Sequence, residues 1–374
     1  MNRRPNRSRS GYDAFSPRQT AHLRMHSPDA DFFERRKRQP FGRRILLALT
    51  AALALFFVAN FVCNQFVSVR RVSVPIRGLH EAFDGYTILH VTDLKGERFG
   101  SGQSFVDFAI GGEEFDLVLI TGDMLSPMGN AQPFYELLEV LRGINSAAPI
   151  YYIAGDSDPL PVSMDYAAGG SPFAPWTLGA GQRGARLLSS PVSIERDGQR
   201  IWLTTRAQAS LDLDTMQGEY EKQYLAALSS GDENAIEMTT YQLGSLEGLR
   251  TARKLMTDQD VYITLTHTLP DAQDTGALRP AALPRAVDLM LGGHYLGGLM
   301  RLPLAGALFV PSAEQDNYGI LPGADKYGGL KRAGATWLYE GTGLGAQDAM
   351  YPRWFFRLMN PPSVTLLTLT PSAL

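Results

Sequence analysis

The sequence predicts an α/β fold: a layered body preceded by a single membrane-spanning helix. Between residues 86 and 154, short apolar runs alternate with segments of helical spacing, a rhythm typical of β-α-β units in layered folds. Five apolar runs in the body end close to an Asp or a His. A stretch of 19 residues without a charge, Ile45–Cys63, comes before that body. Together these features predict an N-terminal membrane anchor that is followed along the chain by a folded domain.

The charge of the chain is unevenly distributed. Residues 1–44 contain 12 Lys and Arg against 4 Asp and Glu, whereas the remaining residues contain 23 against 34. An acidic body argues against nucleic acid as a partner. The basic tail has few apolar residues and no periodicity, so we expect residues 1–44 to be disordered.

The uncharged stretch Ile45–Cys63 is predicted to be an uncleaved signal anchor. As a helix that rises about 1.5 Å per residue it approaches the roughly 30 Å thickness of the hydrocarbon core. A cleaved signal peptide is the alternative, but the long lead and the lack of a small-residue cleavage pattern argue against it. The pair Arg43–Arg44 on the N-terminal side predicts a cytoplasmic N-terminus. We therefore expect a single-pass protein of the cell membrane, with the lipid bilayer as a partner and its body extracytoplasmic.

The body, residues 64–374, is expected to form one domain. Leu211–Met256 is interpreted as two polar helices in a surface insertion, and Asp197–Gly198 predicts the turn of a β-hairpin. Two further segments are predicted to be helices: Ser104–Ile110 and Pro133–Leu141. The predicted strands are short and mostly apolar: Val72–Pro75, Tyr86–Thr92, Phe115–Thr121, Ile150–Ala154, Ala185–Leu188, Val192–Arg196, Arg200–Thr205, Val261–Thr266, Val287–Leu291 and Val364–Leu369.

Side chains with metal-binding chemistry follow five of these strands. They are Asp93, Asp123, Asp156, His267 and His294. The carboxyl ends of parallel strands are where open α/β sheets place their ligand sites. Taken singly, an Asp in such a position can equally be a turn residue, and a His can be a satisfied core side chain. The recurrence of such residues at successive strand ends favours a common site.

These residues fall within five blocks that resemble those of the calcineurin-like metallophosphoesterases, in particular their membrane-anchored branch. The family pattern runs Asp-x-His, Gly-Asp, Gly-Asn-His-Asp, an isolated His and Gly-His-x-His. This chain has the corresponding blocks in the same order: Asp93-Leu94-Lys95, Gly122-Asp123, Gly155-Asp156-Ser157-Asp158, His267 and Gly293-His294-Tyr295-Leu296. The resemblance implies a four-layer sandwich, in which two packed mixed β-sheets are flanked by helices, and a phosphoester hydrolase that uses two metal ions.

The chain departs from that pattern at the positions that matter for catalysis. The resemblance implies a first metal site that keeps Asp93 and Asp123 but has Lys95 and Leu296 in place of its two histidines. It implies a second site of Asp123, Asp156, His267 and His294, with Asp156 standing where the family has Asn. The family histidine that assists the leaving group is replaced by Ser157.

A charged lysine cannot bind a metal, so Lys95 is expected to replace the first ion as a counter-ion to Asp93 and Asp123. Two carboxylates and two imidazoles are a suitable set for one Mn²⁺, Fe²⁺ or Zn²⁺. Two functions follow from this interpretation. The first is a weakly active, one-metal hydrolase of a phosphoester substrate, with Lys95 helping to hold the phosphate. The second is an inactive relative, a pseudoenzyme that serves as an extracytoplasmic scaffold for an envelope partner.

Overall fold

The computed structural model describes residues 41–167, 169–302, 306–310, 321, 328–346 and 357–372. The first element is helix α1, Phe41–Cys63, which is long and apolar enough to cross a membrane. Residues up to Phe56 form a unit of their own, and Phe57 onward belongs to the body. Residues 1–44 were expected to be disordered. Of these, residues 1–40 lie outside the described part of the chain.

The remaining elements follow in chain order. The helices are α2 Ser104–Ile110, α3 Gln132–Ile144, α4 Met164–Ala167, α5 Pro175–Gln182, α6 Arg206–Ser210, α7 Leu213–Ser230, α8 Glu233–Leu255 and α9 Thr275–Leu278, with 3₁₀ turns at Glu81–Phe83 and Ser101–Gln103. The strands are β1 Ser68–Ile76, β2 Thr87–Val91, β3 Leu117–Ile120, β4 Ile150–Tyr152, β5 Ala185–Leu187, β6 Val192–Arg196, β7 Gln199–Thr205, β8 Val261–Leu265, β9 Leu289–Gly292, β10 Met300–Leu302, β11 Gly306–Phe309, β12 Gly329–Ala333, β13 Thr336–Glu340 and β14 Ser363–Pro371.

Within the described residues, these strands form two mixed sheets and one small hairpin. The first sheet has the order β1-β14-β2-β3-β4-β5, and the second has the order β12-β13-β9-β8-β7-β6. Strands β2, β3, β4 and β5 run parallel to one another, as do β7, β8, β9 and β13. Both sheets therefore bring several carboxyl ends together at one edge.

Apolar side chains account for this arrangement because each central strand is buried along its length. Ile88 and Leu119 of the first sheet belong to one cluster with Ile263 and Leu291 of the second. The other face of the first sheet packs on α3, where Phe134 is fully buried. A third cluster lies on the second sheet and includes Met290. The protein is thus an α/β structure of two mixed sheets flanked by helices.

Most predicted elements are confirmed, and the elements that the sequence does not predict are short. The β6–β7 hairpin turns at Asp197 and Gly198, both of which have positive φ. The predicted helical segment 211–256 forms α7 and α8. The sequence does not predict strands β10 to β13 or helices α4, α5, α6 and α9, because each has only three to eight residues and is too short to show a periodicity.

The end of α1 is bound to the body through one buried amide. Asn60 donates from Nδ2 to the carbonyl oxygen of Arg357 at 2.9 Å, and its Oδ1 accepts from the Met359 N–H at 3.0 Å. The buried guanidinium of Arg357 donates in turn to the carbonyl oxygens of Leu296 and Gly345. The last turns of α1 are therefore part of the hydrogen-bonded structure of the body.

Candidate metal centre

The five strand-end residues meet at the edge shared by the two sheets. Asp93, Asp123 and Asp156 follow β2, β3 and β4, which are neighbours in the first sheet. His267 and His294 follow β8 and β9, which are neighbours in the second. Because all five strands point the same way within their sheets, their ends deliver three carboxylates and two imidazoles to one place.

The innermost part of the site is a buried lysine between two carboxylates. Lys95 Nζ lies 2.8 Å from Asp123 Oδ2 and 3.8 Å from Asp93 Oδ1. The lysine side chain is 3% exposed, and those of Asp93 and Asp123 are 0% and 3% exposed. An ammonium group so placed offsets the charge of two buried carboxylates.

His267 links this buried part to the open part of the site. Its Nδ1 lies 2.7 Å from the carbonyl oxygen of Thr121, which can only accept, so Nδ1 carries a proton. Nε2 lies 3.1 Å from Asp123 Oδ2, an ion-pair distance, but it has no hydrogen bond of good geometry. Burial alone would lower the pKa of His267. The contact with Asp123 and the charge of Asp93 outweigh burial and raise the pKa to about 9.

The open part of the site is formed by Asp156 and His294. Asp156 Oδ2 lies 3.2 Å from His294 Nδ1 and 4.0 Å from His267 Nε2. The side chain of Asp156 is 63% exposed and that of His294 is 22% exposed. The hydrogen bond with His294 lowers the pKa of Asp156. This part of the site is thus accessible from solvent.

The backbone of the site is held in an uncommon conformation. Asp93, Lys95, Asp123, His294 and Leu296 all have φ between 51° and 72°. Non-glycine residues adopt this region rarely, and such strain concentrates at functional sites.

Glycines allow the loops to approach one another. A Cβ at Gly293 would collide with Thr92 and Asp93, and one at Gly155 would collide with the carboxylate of Asp123. The His294 N–H can therefore donate to Asp93 Oδ2 at 3.0 Å. These contacts fix the orientation of both carboxylates before any ligand binds.

Ser157 and Asp158 have structural contacts in the third block. The Ser157 N–H donates to Asp123 Oδ1 at 2.8 Å. Asp158 accepts from the N–H groups of Met124, Leu125 and Gly155. Burial raises the pKa of Asp158 against the effect of these bonds. Asp158 thereby joins the loops that present Asp123 and Asp156.

Two groups of side chains have donor atoms close enough to share a metal ion. In each group the ligand atoms lie within 4.8 Å of one another: Asp156, His267 and His294 form the first, and Asp93, Asp123 and His267 form the second. Asp93 Oδ1 and His267 Nε2 are buried polar atoms without a hydrogen-bond partner, which fits a cation that they could bind. Lys95 already lies against the carboxylates of the second group, so the first group fits a metal ion better.

Several residues of the site carry no signal in the sequence. Thr121 provides a backbone oxygen, which any residue type could supply. Glu340, at the end of β13, is 2% exposed, and burial raises its pKa to about 7. Arg357 reaches the site loops only through carbonyl oxygens. For Glu340 and Arg357, the sequence could have pointed to a role only through a prediction that these charged side chains are buried.

Comparisons with known proteins find similarity at the level of structure and none at the level of sequence. No protein-family model matches the chain, and no curated protein matches its sequence. A similarity was found to the crystal structure of phosphopantetheinyl hydrolase (PptH) from Mycobacterium tuberculosis, at 8% identity and a TM-score of 0.35. The match covers 78% of this chain and 98% of that chain.

Proposed function

We propose that this protein is a membrane-anchored relative of the calcineurin-like metallophosphoesterases that binds one divalent metal ion and hydrolyses phosphoesters slowly. The observation that carries the proposal is the open group formed by Asp156, His267 and His294, which stands beside a buried position neutralised by Lys95. An inactive relative that acts as an extracytoplasmic scaffold is the second candidate.

The ligands proposed for the ion are His267 Nε2, His294 and Asp156. Asp123 lies next to this group, because its Oδ2 is 3.1 Å from His267 Nε2. Two imidazoles and carboxylates suit Mn²⁺, Fe²⁺ or Zn²⁺. The bond from His267 Nδ1 to Thr121 supports this assignment because it directs Nε2 to the ion. Because the pKa of His267 is raised to about 9, the ion would have to displace a proton from Nε2 when it binds near neutral pH. When bound, the ion would supply a Lewis acid and lower the pKa of a coordinated water toward about 7.

Lys95 acts in this proposal as a counter-ion to Asp123 and Asp93. A lysine that held a phosphate would need an accessible ammonium, whereas this side chain is 3% exposed and lies against carboxylates. Three carboxylates, one lysine and one divalent ion leave the site close to neutral. Such a site would attract a phosphoester less strongly than one with two ions, which supports slow turnover.

Proton donation to the leaving group is the weakest point of the proposed reaction, and it favours the scaffold candidate. Ser157 occupies the position of the family histidine, and a hydroxyl is a poor acid near neutral pH. In the described part of the chain, the remaining histidines are His80, which caps a 3₁₀ turn, and His90, which is buried. Burial lowers the pKa of His90 to about 3, so it stays neutral. Loss of a positioned acid costs about 10²–10⁴-fold in rate.

Metal analysis and turnover test the proposal together. The full-length chain in detergent should bind at most one Mn²⁺ or Zn²⁺ tightly by calorimetry after chelation. His294→Ala should weaken binding more than tenfold, and the matched control His80→Ala should not change it. Hydrolysis of a generic aryl phosphodiester should depend on the metal and vanish in His294→Ala. Metal binding without any hydrolysis would support the scaffold candidate. A protein that binds no metal would refute both the proposed metal site and the proposed metal-dependent hydrolysis.

The proposed orientation places the basic tail in the cytoplasm and the body outside. Arg43 and Arg44, which precede the apolar stretch, support it through the positive-inside tendency. In a Cys63→Ser background, Ser229→Cys near the end of α7 should react with a membrane-impermeant maleimide on intact cells. Ser10→Cys in the tail should react only after lysis. The reverse pattern would invert the topology.

A further inference from the structure

A cavity of about 370 Å³ lies between the last two turns of α1 and two loops of the body. One wall is formed by Phe57 and Phe61 of α1, and the facing wall includes Phe99, Leu344 and Pro362. Its volume lies in the range of roughly 300–1,000 Å³ that is typical of ligand sites. We propose that this cavity binds a hydrocarbon chain of a membrane lipid.

Two buried polar groups of the cavity, those of Asn60 and Arg357, are engaged within the protein. The side chain of Asn60 bonds to the backbone of Arg357 and Met359. The guanidinium of Arg357 donates to backbone carbonyl oxygens. Arg98 also lines the cavity and is paired with Glu136, while Asn64, Gln65 and Glu97 complete the polar part of the lining. Most of the lining is apolar, and its aromatic and aliphatic walls favour a hydrocarbon.

The position of the cavity along α1 identifies the source of that hydrocarbon. Phe57 precedes Cys63 by six residues, or about 9 Å of helix, and both lie within the segment predicted to cross the membrane. The wall formed by Phe57 and Phe61 is therefore at the depth of acyl chains. Asn64 Oδ1, an acceptor without a hydrogen-bond partner, comes one residue after the predicted span, at the depth of polar headgroups.

The lipid would lie behind the loops of the candidate metal centre. Phe99 belongs to the loop that begins at Asp93, and the Gly345 N–H donates to the carbonyl oxygen of Asp93 at 2.6 Å. A chain packed against Phe99 and Leu344 would support this loop pair from the membrane side. The inference rests on α1 lying in a bilayer, and it does not depend on metal binding or hydrolysis.

Photo-crosslinking of the full-length chain tests the inference. With p-benzoylphenylalanine in place of Phe99, which is 5% exposed, irradiation in phosphatidylcholine–phosphatidylglycerol vesicles should give a phospholipid adduct by intact-protein mass spectrometry. The matched control is the same replacement at Phe115, which is 4% exposed and does not line the cavity. It should give less than a tenth of that adduct.

A variant that fills the cavity gives a second measurement. Ala346→Trp should reduce the Phe99 adduct several-fold, whereas Ala82→Trp, at a half-buried alanine away from the cavity, should leave it unchanged. Melting curves establish that each variant is folded. A folded, inserted protein with no adduct at Phe99, or with equal adducts at Phe99 and Phe115, would overturn the inference whatever the result for Ala346→Trp.

Discussion

The two halves of the strand-end site solve the same electrostatic problem differently. In the closed half, Asp93 and Asp123 are buried and meet the ammonium of Lys95. In the open half, Asp156 is 63% exposed and meets His294, while His267 stands between the halves. A buried carboxylate needs a fixed cation, which this chain supplies itself. An exposed one can rely on water or on an exchangeable ion, so only the open half is suited to reversible binding.

The largest expected effect comes from removing the cation of the closed half. Lys95→Met should lower the free energy of unfolding by about 3–5 kcal/mol, because two buried carboxylates lose their counter-ion. Urea unfolding of the full-length chain in detergent with a chelator measures it. The control Lys222→Met removes an exposed ion pair with Glu219 and should cost less than about 0.5 kcal/mol. An unchanged stability for Lys95→Met would favour an accessible lysine that holds phosphate.

Glu340 is a buried carboxylate whose lysine partner lies farther away than Lys95 lies from Asp123. Its Oε2 lies 3.5 Å from Lys331 Nζ, and its Oε1 has no hydrogen-bond partner. Burial raises the pKa of Glu340 to about 7 from an ordinary value of 4.5.

The folded state therefore holds the proton of Glu340 more tightly than the unfolded state does. Its contribution to stability is present below pH 4.5 and is lost as the pH rises to 7. Glu340→Gln should remove this loss, roughly 3 kcal/mol, and flatten the pH profile of unfolding between those values. The exposed control Glu114→Gln should keep the wild-type slope, and an equally steep profile in Glu340→Gln would contradict the assignment.

Converting the closed half toward the open type gives a smaller effect. The double change Lys95→His and Leu296→His replaces the ammonium with two imidazoles at positive-φ positions, where His is tolerated better than Leu. We expect a second metal equivalent by elemental analysis and about a tenfold gain in phosphodiester hydrolysis, or about 1.4 kcal/mol. Ser157 still lacks a proton-donating imidazole, which limits the gain. One metal equivalent in the folded double variant would show that the closed half cannot be reopened.

The smallest effect is expected where α1 supports the closed half from a distance. Asn60→Leu should cost about 1 kcal/mol, because Asn64 Nδ2 also donates to the Arg357 carbonyl oxygen and keeps it satisfied. Thermal unfolding measures this change. The control Thr50→Leu removes only a bond within α1, from the Thr50 hydroxyl to the Leu46 carbonyl oxygen, and should be silent. Equal melting of Asn60→Leu and the wild type would show that this link adds nothing to the stability of the body.

The sequence by itself determined the local elements of this protein. Apolar runs such as Leu117–Ile120 become strands because burial on both faces demands continuous apolar residues. The turn at Asp197–Gly198 follows from residues that tolerate positive φ. Each of the five site residues closely follows an apolar run. The sequence alone therefore identifies them as strand-end residues: Asp93, Asp123, Asp156, His267 and His294.

Only the tertiary structure decided how those residues divide into a closed and an open half. The exposure of Asp156 and the burial of Lys95 depend on which loops pack over each strand end. The Thr121 carbonyl oxygen orients His267 through a backbone atom that has no sequence signature. Glu340 comes close to the site because β13 pairs with β9, a contact between segments about 50 residues apart. Burial and long-range pairing set the charge balance, and neither can be determined from a local pattern.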